Sequence, residues 1–354
     1  MYQKDGEKYF IVDSHMHYWD ASPANWVKGQ EQFAKGWIDC FHAYQSLGPP
    51  ETHWPIEHFQ KCSEGDLMKD VFQDGHVDVA IFQPTYLKSW YEDGFNTTDR
   101  NGALADKHPG RFIVNSRFEP RGGDRAMKEF EDNVARWKPK GVKLYTAEWF
   151  EGSRGWTLKD PEAYRFLARA QELGIKNIHV HKGPTIWPLD KDAFDVADVD
   201  HAATDFPELN FIVEHVGLPR IEDFCFMATQ EPNVYAGLSV VIGGLMHSRP
   251  KFFAKVMGEL LFWVGEDKMT FGSDYSIWEP KWQVEGFVDW DYPGEEFSDY
   301  PRVNVATKKK ILGLNAAKLY DIEVPLDCQL PAAAGQPAAQ DDAVLVDDKV
   351  GASR

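Results

Sequence analysis

The segment IVDSHMHYWD, residues 11–20, decides how this chain is interpreted. It begins as a short apolar run with β-branched residues, which predicts a buried strand, and it ends in polar residues. Residues two apart in a strand point to the same side, so His15 and His17 can present two imidazoles to one ion. An isolated H-x-H pair is weak evidence among 12 histidines. Its position at the carboxyl end of a predicted strand makes a metal site the favoured interpretation.

Further runs of the same kind follow the first one, with helical stretches between them. Short β-branched or aromatic segments that alternate with helices are typical of parallel βα units. The predicted strands are residues 10–14, 77–83, 112–117, 141–145, 177–181, 210–215, 234–239 and 269–274. Because eight such units close a barrel, the sequence predicts an α/β protein with a (β/α)8 TIM-type barrel.

The domain boundaries follow from the ends of this pattern. A closing helix is predicted at 308–319, so the barrel is expected to span residues 1–323. Residues 18–66, a tryptophan-containing insertion after the first strand, are expected to form a lid, and residues 278–303 form a second insertion after the eighth strand. Residues 324–354 are rich in Ala, Pro and Asp and are predicted to be a disordered tail, with a docking peptide as the alternative.

Composition excludes several classes of protein. A net charge of −18 argues against nucleic-acid binding and against binding to an anionic membrane surface. The four cysteines form no C-x-x-C pair and are expected to be reduced thiols. Because neither a signal-peptide core nor a run of about 18 apolar residues occurs, we expect a soluble cytoplasmic protein.

The other candidate metal ligands stand at the ends of later predicted strands. His181 ends the fifth strand and is a better candidate than His179, which we assign to the barrel interior, although a structural role for both is the alternative. The sixth strand ends at His215, and Glu214 before it is expected to face the helices, with a contact to a metal-ligating residue as the alternative. The eighth ends at Asp274, whose burial requires a cation or another partner. Three imidazoles and one carboxylate leave a coordination position for water, as a hydrolytic metal needs.

These motifs resemble those of the amidohydrolase-related family, in the metal-dependent branch with sugar-acid lactonases, pyrone-dicarboxylate lactonase and aminocarboxymuconate-semialdehyde-type decarboxylases. The matching segments, spread over residues 11–320, are IVDSHMHYWD, IHVHKG, FIVEHVGLPR, FGSDY and KKILGLNAAKLY. The resemblance implies one divalent metal, zinc with manganese or iron as alternatives, held by His15, His17, His181 and Asp274. It also implies that Asp274 takes a proton from the metal-activated water and that His215 orients or protonates the reacting group.

Five further residues are candidates for substrate binding. Lys143 in the fourth strand is taken as a charge partner or as an anchor for a substrate carboxylate, although some binuclear relatives carboxylate a lysine at this strand to bridge two metals. Arg117, at the end of the third strand, is a candidate for bidentate anion binding or a salt-bridged rim residue. Trp187, Tyr275 and Trp278 follow the fifth and eighth strands, where aromatic residues wall a pocket or pack a lid.

Hydrolysis of a cyclic ester or amide is the favoured function, because the D-x-H-x-H-x-W-D opening and the EHVGLPR string resemble the lactonase group. Nonoxidative decarboxylation on the same metal scaffold is the alternative. A catalytically silent barrel that serves as a partner or assembly factor is a third possibility from another class. The expected partner is a small molecule, with an anionic one in view, and the aromatic insertions offer surface for a homodimer.

Overall fold

Eight parallel strands form the centre of the protein, which a computed structural model describes over residues 1–331. An antiparallel hairpin precedes them, turning at Asp5 and Gly6, whose positive φ values of 51° and 83° suit a tight two-residue turn. The strands are β1 (Tyr2–Lys4), β2 (Glu7–Tyr9), β3 (Val12–Met16), β4 (Val79–Phe82), β5 (Phe112–Val114), β6 (Gly141–Leu144), β7 (Asn177–His181), β8 (Asn210–Glu214), β9 (Val234–Gly237) and β10 (Met269–Thr270).

Helices separate consecutive strands, as the alternating pattern predicts. They are α1 (Glu31–Tyr44), α2 (Ile56–Gln60), α3 (Glu64–Leu67), α4 (Thr98–Lys107), α5 (Gly123–Trp137), α6 (Pro161–Glu172), α7 (Ala197–Asp205), α8 (Ile221–Ala228), α9 (Pro250–Trp263), α10 (Pro280–Asp289), α11 (Val305–Lys309) and α12 (Asn315–Tyr320). Within residues 1–331, none of the helices combines the length and hydrophobicity needed to span a bilayer.

The strands form two parallel sheets that irregular backbone contacts connect. One sheet has the order β3-β4-β5 and the other the order β10-β9-β8-β7-β6. A bridge between Ser116 and Val142 connects β5 to β6. On the opposite side, Ser14 in β3 donates its N–H to the carbonyl of Phe271, just after β10, at 2.9 Å. The predicted (β/α)8 barrel is therefore confirmed.

The insertion at residues 18–66 contains α1 and α2 and packs with aromatic side chains against the barrel. Trp19 stacks on Phe95, which follows β4, with ring centroids 5.0 Å apart, and Trp37 is fully buried. The later insertion contributes α10, which packs beside α11. Both insertions leave the carboxyl ends of barrel strands, where they can reach a site on that face.

The packed part of the chain extends past the boundary predicted at residue 323. Residues 326–328 form a short 3-10 turn, and Cys328 is fully buried against Phe10 and Val12. Lys8 and Asp327 form an ion pair at 2.6 Å that also holds this segment to the hairpin. The first residues of the predicted tail, which was placed at 324–354, are therefore packed against the barrel, and residues 332–354 lie outside the described residues.

Gly313 lies at the closest approach between the closing helical segment and β3. This segment runs through α11, a π-helical turn at 310–314 and α12. A Cβ added at Gly313 would collide with the carbonyl oxygen of Phe10. Because that oxygen belongs to the backbone, it cannot move aside without displacing the start of β3.

We predict that Gly313→Ala destabilises the protein by about 1–3 kcal/mol, the usual cost of overpacking, despite the better helix propensity of alanine. Thermal and denaturant unfolding measure this change. Gly65→Ala is the matched control, since a Cβ at this exposed helical glycine meets only the Ser63 hydroxyl, at 3.5 Å. Equal stability of the Gly313 variant and the parent would contradict the proposed close packing.

Candidate metal centre

His15 and His17 extend from the carboxyl end of β3 into the barrel, where both side chains are buried. The chain after β10 runs beside them, and Asp274 donates its N–H to the carbonyl of His15 at 2.9 Å. Gly272 permits this approach, because a Cβ at that position would lie 2.5 Å from the Cβ of His15. Two segments far apart in sequence thus bring three potential ligands together.

The outer nitrogen of each imidazole has a partner that fixes the ring. His17 Nδ1 lies 2.7 Å from the carbonyl oxygen of Gln83, and His15 Nδ1 lies 2.8 Å from Glu214 Oε2. A carbonyl and a carboxylate only accept hydrogen bonds, so these two contacts favour a proton on both Nδ1 atoms. Asn96 Nδ2 also lies 3.1 Å from His17 Nδ1, and the contact between His15 Nδ1 and Glu214 is an ion-pair distance without hydrogen-bond geometry. In the favoured form, the Nε2 atoms of His15 and His17 present lone pairs to each other across 3.2 Å.

Asp274 adds a third acceptor to this pair. Its Oδ1 lies 3.6 Å from His15 Nε2 and 3.3 Å from His17 Nε2. A tetrahedral ion with bonds of 2.0–2.1 Å would hold its ligand atoms roughly 3.3 Å apart. Three buried acceptors at these separations repel one another unless a cation lies between them, so this donor set fits a divalent metal.

The protonation of these groups suits metal binding. Burial lowers the pKa of His15 to about 3, although Glu214 opposes the shift, so the imidazole stays neutral at pH 7. Burial by itself raises the pKa of Asp274, but the neighbouring imidazoles of His17, His15 and His215 bring it below the usual range. A neutral imidazole and an ionised carboxylate are the forms that ligate a metal.

His215 lies closer to this acceptor triangle than the sequence-based assignment expected. One ligand atom from each of His15, His215 and Asp274 falls within 4.8 Å of the others. This group includes neither His181 nor His17, although His17 Nε2 lies 3.2 Å from His15 Nε2 and 3.3 Å from Asp274 Oδ1. His181 lies behind His215, with its Nδ1 3.0 Å from His215 Nε2 and its ring stacked on Tyr145. The left-handed backbone of His215, φ 66°, turns its side chain inward at the end of β8.

The contacts of His215 bear on which of its ring nitrogens carries the proton. Its Nδ1 lies 3.1 Å from the carbonyl oxygen of Ser239, which only accepts, and 3.0 Å from the Ser239 hydroxyl, which can donate or accept. The carbonyl contact favours the tautomer with the proton on Nδ1. Burial lowers the pKa of His215, so the ring is neutral and its Nε2 is an acceptor. In this form the acceptor nitrogen of His215, Nε2, faces His181 Nδ1 at 3.0 Å.

Glu214 faces the barrel interior, not the helices as expected. Its Oε1 lies 2.5 Å from His179 Nδ1, and its Oε2 holds His15. Glu214 pairs in register with His181, and paired residues of parallel strands point to the same side, which is the signal that sequence reasoning missed. Gly237 on β9 leaves room for this carboxylate, since a Cβ there would collide with Oε2.

A hydrogen-bonded chain connects Glu214 to the closing helix. His179 Nε2 lies 2.7 Å from the hydroxyl of Tyr320, the last residue of α12. Tyr320 in turn contacts the amide of Asn115, after β5, at 2.8 Å. This chain fixes the orientation of Glu214 and, through it, the tautomer of His15.

Lys143 extends from β6 into the same region and is 1% exposed. Its Nζ has no hydrogen-bond partner within the described residues. Burial lowers its pKa to about 8, against the opposing effect of Glu214 and Asp274. The ammonium group is therefore still largely charged at pH 7.

The other predicted substrate-binding residues do not line the cavity at the acceptor triangle. Arg117 is bound to Glu148 at 2.7 Å and thus forms the salt bridge that was its alternative assignment. Tyr275 directs its hydroxyl to Asp70, Trp278 donates to the carbonyl of Tyr44, and Trp187 is 55% exposed. The cavity walls are instead Trp37, Phe41, Tyr44, Thr85, Phe95, Tyr145, Pro184, Ile186, Val240 and Ile277.

Comparison with known proteins identifies a matching family and several solved structures with a similar fold. A family model described as amidohydrolase matches residues 12–322. No curated protein matches the chain. An uncharacterized TIM-barrel protein from Bordetella bronchiseptica is 17% identical, with a TM-score of 0.63, and the match covers 88% of this chain and 98% of that one.

Two similar solved structures contain a metal. A zinc-bound amidohydrolase from Burkholderia multivorans is 14% identical, with a TM-score of 0.58, over 89% of this chain and 100% of that one. A manganese complex of 5-carboxyvanillate decarboxylase from Novosphingobium aromaticivorans is 15% identical, with a TM-score of 0.56, over 88% of this chain and 96% of that one. At this identity the likeness shows a shared fold.

We predict that the purified protein binds one equivalent of divalent metal and that a His15→Ala/His17→Ala variant loses it, because two of three converging acceptors are removed. Elemental analysis measures the content. His53→Ala/His58→Ala, at the partly exposed histidines of the first insertion, is the control and should retain the metal. Absence of metal after metal-replete purification would contradict this site, and two equivalents would indicate a second ion near His181 and His215.

We also predict that Glu214→Gln weakens metal binding by about 10–100-fold, because the carboxylate no longer fixes the His15 tautomer. Tyr320→Phe should weaken it less, since only the support of His179 is removed. Chelator competition measures both affinities. Glu231→Gln is the control, as this buried carboxylate bonds Thr204 away from the site. An unchanged affinity in the Glu214 variant would rule out the supporting chain.

Proposed function

Because this chain belongs to the amidohydrolase family, we propose that it is a metal-dependent hydrolase that opens a cyclic ester or amide. The triangle formed by His15 Nε2, His17 Nε2 and Asp274 Oδ1, with separations of 3.2–3.6 Å, is the observation that carries this proposal. When bound there, a divalent ion supplies a Lewis acid that polarises a carbonyl and lowers the pKa of a water molecule. We take zinc as the first candidate, with manganese and iron as alternatives.

The side chains around the triangle supply the proton transfers. Asp274 is ionised and accepts the proton of the attacking water. His215, whose ring approaches Asp274 and His15, relays this proton to the leaving oxygen or nitrogen. His181 Nδ1 lies 3.0 Å from His215 Nε2, so the two imidazoles share a proton between them and His181 keeps the ring of His215 oriented.

Water is excluded from the site by the first insertion. Trp37 and Phe41 from α1 are buried and line the cavity, together with Phe95. A dry surrounding strengthens the interaction of the ion and the carboxylate with a polar reaction centre. The lid assignment of residues 18–66 remains part of this proposal.

Nonoxidative decarboxylation is the second candidate, and the largely aromatic and aliphatic wall of the cavity favours it. Such a wall suits a planar carboxylated ring. One argument opposes decarboxylation. The carboxylate must give up its negative charge as carbon dioxide leaves, and a cation beside that carboxylate stabilises the charge where it is. The same cation stabilises the charge that develops on a carbonyl oxygen during hydrolysis.

We predict that the metal-loaded protein hydrolyses a member of a panel of lactones and cyclic amides, and that His215→Asn lowers kcat by about 10²–10⁴-fold while the metal is retained. A pH indicator measures the acid released by ring opening, and His53→Asn is the control. Mass spectrometry on a parallel panel of carboxylated aromatic compounds detects decarboxylation. Turnover in that second panel alone would replace the hydrolase proposal, and metal binding without turnover in either would favour a silent barrel.

A further inference from the structure

The cavity at the acceptor triangle is too small to admit an organic substrate. Its volume is about 20 Å³, and a single water molecule needs about 10–15 Å³ of such space. The cavity therefore has room for about one water molecule and for no ring-shaped organic molecule. A lactone or a cyclic amide reaches the triangle only if part of the wall moves.

The part of the wall that α1 forms is firmly held. Its inward face carries Trp37 and Tyr44, which line the cavity, and Trp37 is fully buried. Barrel side chains also bind the backbone of this helix. The Tyr91 hydroxyl donates to the carbonyl of Ala34 at 2.8 Å, and Trp278 donates to the carbonyl of Tyr44 at 3.1 Å. Moving α1 would break both bonds and expose a buried tryptophan, so α1 is the fixed side of the entrance.

The loop after β7 forms another part of the wall through Ile186, and few contacts hold this loop. Within the described part of the chain, residues 183–188 form no backbone–backbone hydrogen bond with another element. Gly183, at the start of the loop, has a φ of 71°, and a Cβ there would collide with the carbonyl oxygen of Leu218. Segments with few backbone hydrogen bonds open locally at a low free-energy cost. The loop is therefore the side of the entrance that can move.

Trp187 holds this loop against α1. Its indole ring lies on Gly36, where an added Cβ would collide with the ring. The ring centroid of Phe33 lies 5.8 Å from that of Trp187, and the backbone of Trp187 hydrogen-bonds the thiol of Cys40. Positions 33, 36 and 40 lie on one face of α1. Because the Trp187 side chain is 55% exposed, releasing it from α1 uncovers only part of one side chain.

We propose that residues 183–188 form a flap over the metal cavity, in which Trp187 is the latch on α1 and Ile186 closes the cavity. When the indole leaves Gly36, the loop turns about Gly183 and the space between Ile186 and α1 opens to solvent. Substrate enters and product leaves through this opening, and the closed flap keeps bulk water from the reaction. The inference rests on the proposed function only for the identity of the ligand that enters.

The thiol of Cys40 reports whether the flap is open. It is partly buried and bonded to the flap, whereas Cys62, Cys225 and Cys328 are buried elsewhere. We expect Trp187→Ala to accelerate the reaction of Cys40 with N-ethylmaleimide at least about fivefold, because the labelling rate follows the population of the open form. Peptide mass spectrometry after timed labelling measures each thiol separately.

Gly36→Ala tests the same latch from the side of α1, since its methyl group displaces the indole and leaves the flap sequence intact. Alanine also raises the helix propensity of α1, so faster labelling of Cys40 in this variant does not come from a weakened helix. In the metal-loaded protein, both variants should lose metal to dipicolinate at least about threefold faster, because the chelator enters through the same opening. Trp187→Phe, which keeps an aromatic ring on Gly36, should restore much of the parent rate.

Trp263→Ala is the matched control, because Trp263 is 48% exposed on α9 and does not line the metal cavity. Equal acceleration of all four thiols would show global destabilisation and overturn the inference. Unchanged rates of Cys40 labelling and metal loss in both Trp187→Ala and Gly36→Ala would overturn it as well. Thiol labelling requires no metal, so a purified protein without metal would contradict the hydrolase proposal while the flap is still tested.

Discussion

Mutual repulsion of the buried acceptors contributed by His15, His17 and Asp274 is the constraint on which the site depends. A contact on the far side of each imidazole directs its other nitrogen inward. Gln83 contacts the ring of His17, and Glu214 contacts the ring of His15. In a low dielectric, facing lone pairs are costly, and neither imidazole can relieve the cost by turning. The fold therefore holds an arrangement that is stable when a cation completes it.

Two residues of the site have a strained backbone conformation. His215 and Asp274 have φ values of 66° and 59°, in the left-handed region that non-glycine residues seldom occupy. Both follow barrel strands, and both bring a side chain inward that regular alternation would direct elsewhere. The strain is held by the surrounding hydrogen bonds, including the bond from Asp274 to the His15 carbonyl at 2.9 Å.

Sequence reasoning predicted the parts of the molecule that depend on local pattern. The strand at 177–181 has the predicted bounds, because its apolar alternation is regular. The strand predicted at 269–274 is regular only at Met269–Thr270, since the chain then bends to place Asp274 beside His15. A two-residue period likewise assigned Glu214 to the wrong face. The cavity walls were missed because α1 reaches them by tertiary packing, which no local pattern encodes.

The contact between Tyr320 and His179 also determines when, during synthesis of the chain, the residues of the site can all be in place. During synthesis the H-x-H pair leaves the ribosome first, about 250 residues ahead of Asp274 and about 300 ahead of Tyr320. Until those residues emerge, His15 and His17 lack both the carboxylate and the support that shape their geometry. A nascent chain therefore presents two imidazoles before the other residues of the predicted metal site are in place.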